Sequence, residues 1–318
     1  MASSYNTLAG LIQFNDKNTA DLGITDLLED APLLARLSAV TASAGTQHKY
    51  LKQTTASSAG FRAALDAATK VASADTLITD TLTIIDGSFD TDVALADAFK
   101  GGRDAWLQLE LVRTMKQVMA VIEKQVFYGT DNDAAGFAGL LDDTQLDALG
   151  DTMVYNAGGS NASTQTSCYL LRSNPSDVSI VLGNEGRFVV EDQPTIIAKA
   201  GVTNTSYNFP ALYVPVTGYV GFQIGGAYSA GRIANIECNT LTSVTAFTDD
   251  MVFGALSQFP ASRQPNLIVM NRNAMRMLRQ SRSAYSPTGA PAPMPTEVAN
   301  IPIVVTDQLV STESVETV

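Results

Sequence analysis

One stretch of sequence most limits how this chain can fold: residues 104–126 contain neither glycine nor proline, and their apolar residues recur at steps of three and four. This spacing places the apolar side chains on one stripe of an α-helix, which should run for roughly 30–35 Å at about 1.5 Å per residue. Four more apolar residues widen the stripe: Trp106, Leu109, Val112 and Met119. The helix should therefore be buried along most of one side, and Gly129 is well placed to end it.

The charge balance and the chain's beginning argue against several functions. The 318 residues include 20 Lys and Arg against 32 Asp and Glu, which gives a net charge of −12. Because phosphate contacts need cations, such a chain is a poor nucleic-acid binder as a whole. The sequence contains no run of about 18 uninterrupted apolar residues, so we predict no membrane span. The first residues, 1–5, lack the basic start and apolar run of a signal peptide.

Candidate catalytic groups are few. His48 is the single histidine, so any Ser/His/Asp triad would have to use it, and it falls in a predicted hairpin. Cys168 and Cys238 lack zinc or redox spacing. We therefore predict that the chain is not an enzyme and has no catalytic residues and no cofactor.

The glycine-rich segment after the long helix partly fits a calcium-binding loop. Asp131, Asp133 and Gly136 suit the first, third and sixth positions of such a loop. Ala135 offers no side-chain oxygen at the fifth, and Asp142 replaces the bidentate Glu at the twelfth. A turn following the helix is the better interpretation, and no metal site is predicted.

The beginning of the chain is predicted to be an arm followed by a hairpin. Residues 1–44 carry apolar clusters around Pro32, which suit short turns on an extended arm and equally suit a helix packed on its own domain. Residues 48–53 and 76–85 have the pattern of strands, and 54–60 between them has little to bury. Because an exposed hairpin with unpaired edges tends to aggregate, it needs a partner to cover it.

The remainder of the chain predicts an α+β fold. Strand candidates in the β-rich middle are 168–171, 178–182, 211–214, 220–224 and 232–236. They are followed by a helix at 249–258, a strand at 266–270, a helix at 271–281 and a closing strand at 301–305. The later helix directs a basic stripe outward: Arg272, Arg276, Arg279 and Arg282. We expect this stripe to contact DNA or, alternatively, to face solvent or another subunit.

Several short stretches follow one another in a specific order along nearly the whole chain: 27–34, 48–62, 127–140, 231–236, 269–272 and 301–307. Their order and spacing resemble the major capsid proteins of tailed phages, which have the Hong Kong 97-type fold. They resemble in particular the branch of that family with an inserted β segment after the long spine helix.

The resemblance implies a domain organisation. Residues 1–44 would form the N-terminal arm, and 45–90 the extended loop that lies across a neighbouring subunit. Residues 91–235 would form the peripheral domain, with the spine helix and the inserted β segment. Residues 236–318 would form most of the axial domain, completed by strands that return to the peripheral domain.

The resemblance also implies a function. Copies would assemble as pentamers and hexamers into the icosahedral head of a tailed double-stranded DNA phage, in the host cytoplasm, and pass through a procapsid that matures. The implied partners are other copies, a portal protein, a decoration protein and DNA contacted without sequence preference. A separate scaffolding protein is expected because no long charged helical segment precedes the arm. The alternatives are an encapsulin-like nanocompartment shell, which the inserted segment at 166–236 fits less well, and a secreted or surface β-rich adhesin.

Contacts between subunits are predicted by region. In the arm they are Leu27, Leu28, Leu33 and Leu34. In the extended loop they are His48, Lys49, Tyr50, Lys52, Phe61 and Arg62.

Overall fold

The computed structural model describes residues 13–14, 28–55, 59–67, 74–190, 195–200, 208–226, 228–238, 247–284 and 291–317. The helices are α1 Val93–Ala98, α2 Gly102–Tyr128, α3 Asp249–Leu256 and α4 Arg272–Ala284. The first strands are β1 Gln13–Phe14, β2 Ser38–Thr41, β3 Gln47–Thr55, β4 Ala74–Thr81, β5 Thr83–Asp86, β6 Phe89–Asp92, β7 Val154–Asn156, β8 Gln165–Leu171 and β9 Val178–Leu182. The later strands are β10 Arg187–Val190, β11 Thr195–Ala200, β12 Asn208–Val214, β13 Val216–Ile224, β14 Ala230–Glu237, β15 Leu267–Met270, β16 Glu297–Val298 and β17 Ile301–Val305.

The long predicted helix is present as α2, and Gly129 is its C-cap. Its burial differs from the prediction. From Val118 to Phe127 almost every residue is buried, including Glu123 and Gln125, whereas the first turns are partly exposed and Leu109 is 36% exposed. The apolar spacing could not show this change along the helix, because it describes the helix surface and not the elements that cover it.

The described strands include two large sheets, whose buried residues share one apolar core with α2. In the first the strand order is β1-β10-β13-β9-β2, and β5 also pairs with β13. In the second the order is β16-β17-β15-β8-β14-β7. Every residue of β8, β9 and β14 is buried, and this includes polar residues such as Gln165 in β8 and Arg232 in β14. The helix α3 contacts β14 and β7 of the second sheet.

The predicted α+β class and most of the predicted strands are confirmed, but the single strand predicted at 76–85 is divided into β4 and β5. The chain divides at Leu82, which is 5% exposed and whose amide donates to the carbonyl of Thr46. Before this break β4 pairs with β3, and after it β5 pairs with β13. Leu82 is therefore the point at which the hairpin leaves the body of the protein.

The predicted boundary between residues 235 and 236 does not separate the two sheets. The second sheet contains β7, β8 and most of β14 from the earlier segment, together with β15, β16 and β17 from the later one. A central strand needs neighbours on both sides, and β8 finds one in β14 and the other in β15. The second sheet therefore combines strands from both sides of residue 235.

The glycine-rich segment after α2 is a tight cap. The Asp142 carboxylate accepts hydrogen bonds from the amides of Thr130 (3.0 Å) and Gly139 (2.7 Å) and from the Thr130 hydroxyl. The Gln125 amide group donates to the carbonyls of Asp133 and Phe137. The Asp142 carboxylate, which a calcium loop would use, thus binds backbone amides. These hydrogen bonds support the interpretation of the segment as a turn.

Gly129 should not tolerate a side chain. Its φ is +51°, and an added Cβ would lie 1.7 Å from Asp142 Oδ2 and 2.4 Å from the Gly139 nitrogen. We expect Gly129→Ala to lower the free energy of unfolding of the dissociated subunit by about 3 kcal/mol or more. Gly45→Ala is the control, because Gly45 has a similar φ of +56° with nothing within 4 Å, and it should cost about 1 kcal/mol. Equal losses in denaturant titrations would contradict this account of the cap.

Candidate assembly surfaces

The part of the arm that the structure describes at residues 28–44 contributes to its own subunit's core. Leu33 and Leu34 are 0% exposed and Leu28 is 5% exposed within a single chain. The structure therefore does not support these three leucines as contacts between subunits, and of the two readings of the arm it favours packing on the same domain. Leu27 lies outside the described residues. The hydrogen-bonded turns at 28–37 fold back over α2, which apolar spacing alone could not decide.

A buried carboxylate attaches the arm to α2. Glu123 Oε2 accepts hydrogen bonds from the amides of Leu33 (2.9 Å) and Leu34 (3.3 Å), and Oε1 accepts one from the hydroxyl of Thr306, just after β17. Burial raises the pKa of Glu123 to about 7, against the opposing effect of these three donors. One side chain thus joins the arm, the spine helix and the C-terminal segment.

The base of the hairpin contacts the body of the same subunit. His48 Nε2 lies 2.8 Å from Gln223 Oε1 on β13, and Lys52 Nζ lies 3.2 Å from an Asp143 carboxylate oxygen. Burial, and then the nearby carboxylate of Asp80, raise the pKa of Tyr50. These residues line or adjoin a cleft of about 260 Å³ between the hairpin and the turn after α2. The structure therefore gives His48, Tyr50 and Lys52 contacts within their own chain.

The outer part of the hairpin is bare. Among the described residues, β3 and β4 pair only with each other. Leu51 is 66% exposed and Leu77 is 59% exposed. Phe61 and Leu65 in the tip are fully exposed, and Lys49 and Arg62 are also exposed. The predicted contacts at Lys49, Phe61 and Arg62 therefore remain available to another subunit.

The predicted basic stripe on α4 is partly neutralised. Arg272 lies 2.5 Å from Asp307, and Arg282 makes two hydrogen bonds of 2.6 and 2.8 Å to Asp249. Arg279 and Arg276 are exposed, and Arg279 donates to the carbonyl of Ala292. The four arginines share one helix, as predicted, but only two of them present a charge without a carboxylate partner among the described residues.

Sequence reasoning missed a buried cation that holds the end of the described chain. Arg232 in β14 is 1% exposed, and its guanidinium lies 2.9 Å from Glu316 and 3.7 Å from Glu313. Glu313 also accepts hydrogen bonds from the hydroxyls of Tyr128 (2.7 Å) and Ser167 (2.6 Å). The available signal was the arginine itself, because a charged residue in a buried strand must be paired.

Metal and membrane criteria give negative results in the part of the chain that the structure describes. No group of three or more His, Cys, Asp or Glu residues in that part is arranged to hold a metal ion. Within the same residues, no helix has the length and apolar character needed to cross a membrane.

The architecture defines the class of protein. The solved structure of bacteriophage Epsilon15 matches with a TM-score of 0.61 at 16% identity, over 88% of both chains. The bacteriophage JBD30 capsid gives a TM-score of 0.48 at 9% identity over 86% of this chain and 88% of that one. An encapsulin complex from Synechococcus elongatus gives a TM-score of 0.44 at 10% identity, over 67% of this chain and 90% of that one. The fold is that of the Hong Kong 97-type capsid proteins.

The sequence then identifies the family. The chain belongs to the family described as major capsid protein GP7, whose model matches residues 16–317. Among curated protein sequences, none matches this chain. Family membership confirms the prediction of a structural phage capsid protein, a component of the virion, and the family is not one of enzymes.

The ionisation of Glu123 should make stability depend on pH. Because its pKa is about 7 in the folded chain against an ordinary value of 4.5, its contribution to stability is fully present below about pH 4.5 and is lost as the pH rises through 7. The shift corresponds to about 3 kcal/mol. Glu123→Gln should flatten the decline in the free energy of unfolding between pH 4.5 and 8, measured on dissociated subunits in urea. An identical slope in the variant would contradict this assignment.

Arg232→Met should destabilise the subunit by about 3 kcal/mol, because it leaves the buried Glu313 carboxylate without its cation. Arg187→Met is the matched control. Arg187 is 48% exposed in its side chain, lies 3.9 Å from Glu185, and should change stability by less than about 0.5 kcal/mol. The comparison is made by thermal and denaturant unfolding. Similar small effects at both positions would show that the tail is not held by Arg232.

Proposed function

We propose that copies of this chain form pentamers and hexamers, which tile an icosahedral shell around packaged double-stranded DNA. The observation that carries the proposal is the hairpin β3–β4, whose strands pair only with each other among the described residues and whose tip carries two fully exposed apolar side chains. Exposed apolar surface of this kind marks a binding site for another protein. In a shell, the protein that binds there is another copy of this chain.

The two proposed domains correspond to the two large sheets. The first sheet, together with α2, forms the peripheral domain. The second sheet, together with α3 and α4, forms the axial domain, which gathers around the five-fold and six-fold axes. The hairpin β3–β4 forms the extended loop, which was expected at 45–90 but ends at Leu82, since β5 pairs with β13 of the first sheet. Residues 1–44 form the arm. The extensive hydrogen bonding of the second sheet to the tail at Glu313 and Glu316 supports a rigid unit of this kind.

The proposed partners beyond other copies are a scaffolding protein, a portal protein and a decoration protein, with assembly in the host cytoplasm and later maturation of the procapsid. DNA is contacted through a few cations without sequence preference. The net charge of −12 and the pairing of Arg272 and Arg282 with carboxylates support weak contact, because strong phosphate binding needs free cations.

Removing the outer hairpin tests the proposal. We expect residues 53–75 to be replaceable by an Asn-Gly turn with little loss of subunit stability, because the part removed has no described strand partner in the body. The truncated subunit should fail to form closed shells when expressed with its neighbouring genes, whereas the full chain forms them. Electron microscopy and sedimentation measure the outcome.

The contents of the particles separate the proposal from its alternative. Shells of the full chain that contain DNA support a phage head, and shells that contain only protein cargo indicate a nanocompartment. Normal shells from the truncated chain would contradict the role of the hairpin. A full chain that stays monomeric under every condition would contradict shell formation itself.

A further inference from the structure

The turns of the arm at residues 28–37 are attached to the body without strand pairing among the described residues. Their backbone–backbone hydrogen bonds stay within the segment, as from the Leu37 amide to the Leu33 carbonyl (2.8 Å). Pairing with the first sheet begins only at Ser38, in β2. The segment is therefore able to move as a unit about Ser38 without breaking a sheet.

Most polar contacts between this segment and the body lie at the surface. Glu29 binds Lys116 of α2 at 2.9 Å, but the Glu29 side chain is 72% exposed. The Asp30 carbonyl accepts a hydrogen bond from the Gln308 side chain at an exposed position (3.2 Å). A longer hydrogen bond (3.3 Å) joins the Ser173 hydroxyl to the end of the segment. Contacts of this kind add little to the docking of the arm.

The buried attachment is the Glu123 carboxylate. It is 0% exposed, and Oε2 accepts hydrogen bonds from the amides of Leu33 and Leu34. Its third partner, Thr306, is held to the second sheet, because the Thr306 amide donates to the Met270 carbonyl (3.0 Å). Of the two segments that meet at Glu123, only the arm is thus free to leave without loss of hydrogen bonds to a sheet.

A cleft of about 240 Å³ lies along this junction. Its lining includes Pro32 of the arm and the two residues that flank Thr306, Val305 and Asp307. Solvent in the cleft therefore comes within one residue of the groups that bind Glu123. This gives the proton of the carboxyl group a short route in and out.

Neighbouring charges do not neutralise Glu123. The charged groups on the elements that meet here come from the arm, α2, α4 and the C-terminal segment: Glu29, Asp30, Arg36, Lys116, Lys124, Arg272 and Asp307. Lys116 is bound to Glu29, and Arg272 lies 2.5 Å from Asp307. Burial is the largest influence on Glu123 and raises its pKa to about 7, against the opposing effect of its three hydrogen-bond donors. The ionised carboxylate is therefore stabilised by hydrogen bonds and not by a cation of this junction.

We propose that Glu123 is a latch for the arm: residues 28–37 stay docked while its carboxyl group is neutral, and they detach from the body when it ionises. In the neutral form one oxygen still accepts from both amides, and the protonated oxygen shares a hydrogen bond with the Thr306 hydroxyl. In the ionised form the charge gains water only when the arm swings away. Raising the pH therefore opens the arm, and lowering it closes the arm. The inference concerns the single subunit and goes beyond the proposed shell function.

Hydrogen–deuterium exchange of the full chain, as dissociated subunits, tests the latch. Protection factors, which remove the pH dependence of the exchange chemistry itself, are measured for peptides that cover 28–37. Because the pKa is 4.5 when the carboxyl group is hydrated and about 7 when the arm is docked, protection should fall about 70-fold between pH 5 and pH 8.5. Peptides from β9 should stay at least about a hundredfold better protected at every pH, which shows that the arm opens while the body stays folded.

Two variants separate Glu123 from other carboxylates. Glu123→Gln removes the ionisation, so the protection of 28–37 should vary less than about threefold over the same pH range. Glu110→Gln is the matched control, because Glu110 lies on the same helix and makes an ion pair with Arg113 (2.6 Å). The control should keep the full response of the original chain. A response that persists in Glu123→Gln would assign the latch to another group and overturn the proposal.

Trypsin cleavage of the original chain gives a measurement that needs no variant. Arg36 is followed by the buried Leu37, so cleavage there requires the arm to detach, whereas Arg62 in the hairpin tip is exposed. The ratio of cleavage after Arg36 to cleavage after Arg62 should rise about tenfold between pH 6 and pH 8.5. A constant ratio, or arm peptides that exchange no faster than those of β9, would show that the arm is not latched. Neither measurement depends on shell formation, so the two proposals fail separately.

Discussion

The position of Glu123 is the constraint on which the rest of the fold depends. Its buried carboxylate accepts hydrogen bonds from the arm at Leu33 and Leu34 and from Thr306 after β17. A buried carboxylate is costly unless its oxygens are satisfied, so these segments must meet at this one turn of α2. Because the neighbouring turns of α2 contribute to the common apolar core, fixing the helix at this turn also fixes how the arm and the C-terminal segment lie on that core.

Two buried charges also specify which segments meet. Arg232 binds the tail through Glu313 and Glu316. Asp177, which is 2% exposed, lies where the chain passes from the second sheet to the first, and its carboxylate contacts Arg172 at 3.2 Å and Arg263 at 3.1 Å. Apolar burial is non-directional, whereas a buried charge needs particular partners in a particular geometry. The apolar core supplies most of the stability, and the three buried side chains, Glu123, Arg232 and Asp177, favour one arrangement of the segments around it.

The arm and the hairpin differ in where their apolar side chains lie. Both begin as segments with little core of their own, but the described part of the arm folds back and buries Leu28, Leu33, Leu34 and Leu37 in its own subunit. The hairpin leaves the body at Leu82 and carries Phe61 and Leu65 into solvent. Only the second arrangement leaves apolar surface to be buried by association.

The sequence by itself determined the local elements: the spacing at 104–126 determined α2, Gly129 its end, and the buried strands were evident from short apolar runs. It also carried the family resemblance, because the order of stretches is a property of the chain. Only the tertiary structure decided that Leu33 and Leu34 are core residues, that 76–85 splits at Leu82, and that β8 joins strands on both sides of residue 235. It also revealed the partners of Arg232 and Glu123. The physical reason is that periodicity reports which face of an element is apolar, whereas the identity of the covering segment depends on contacts between residues far apart in the chain.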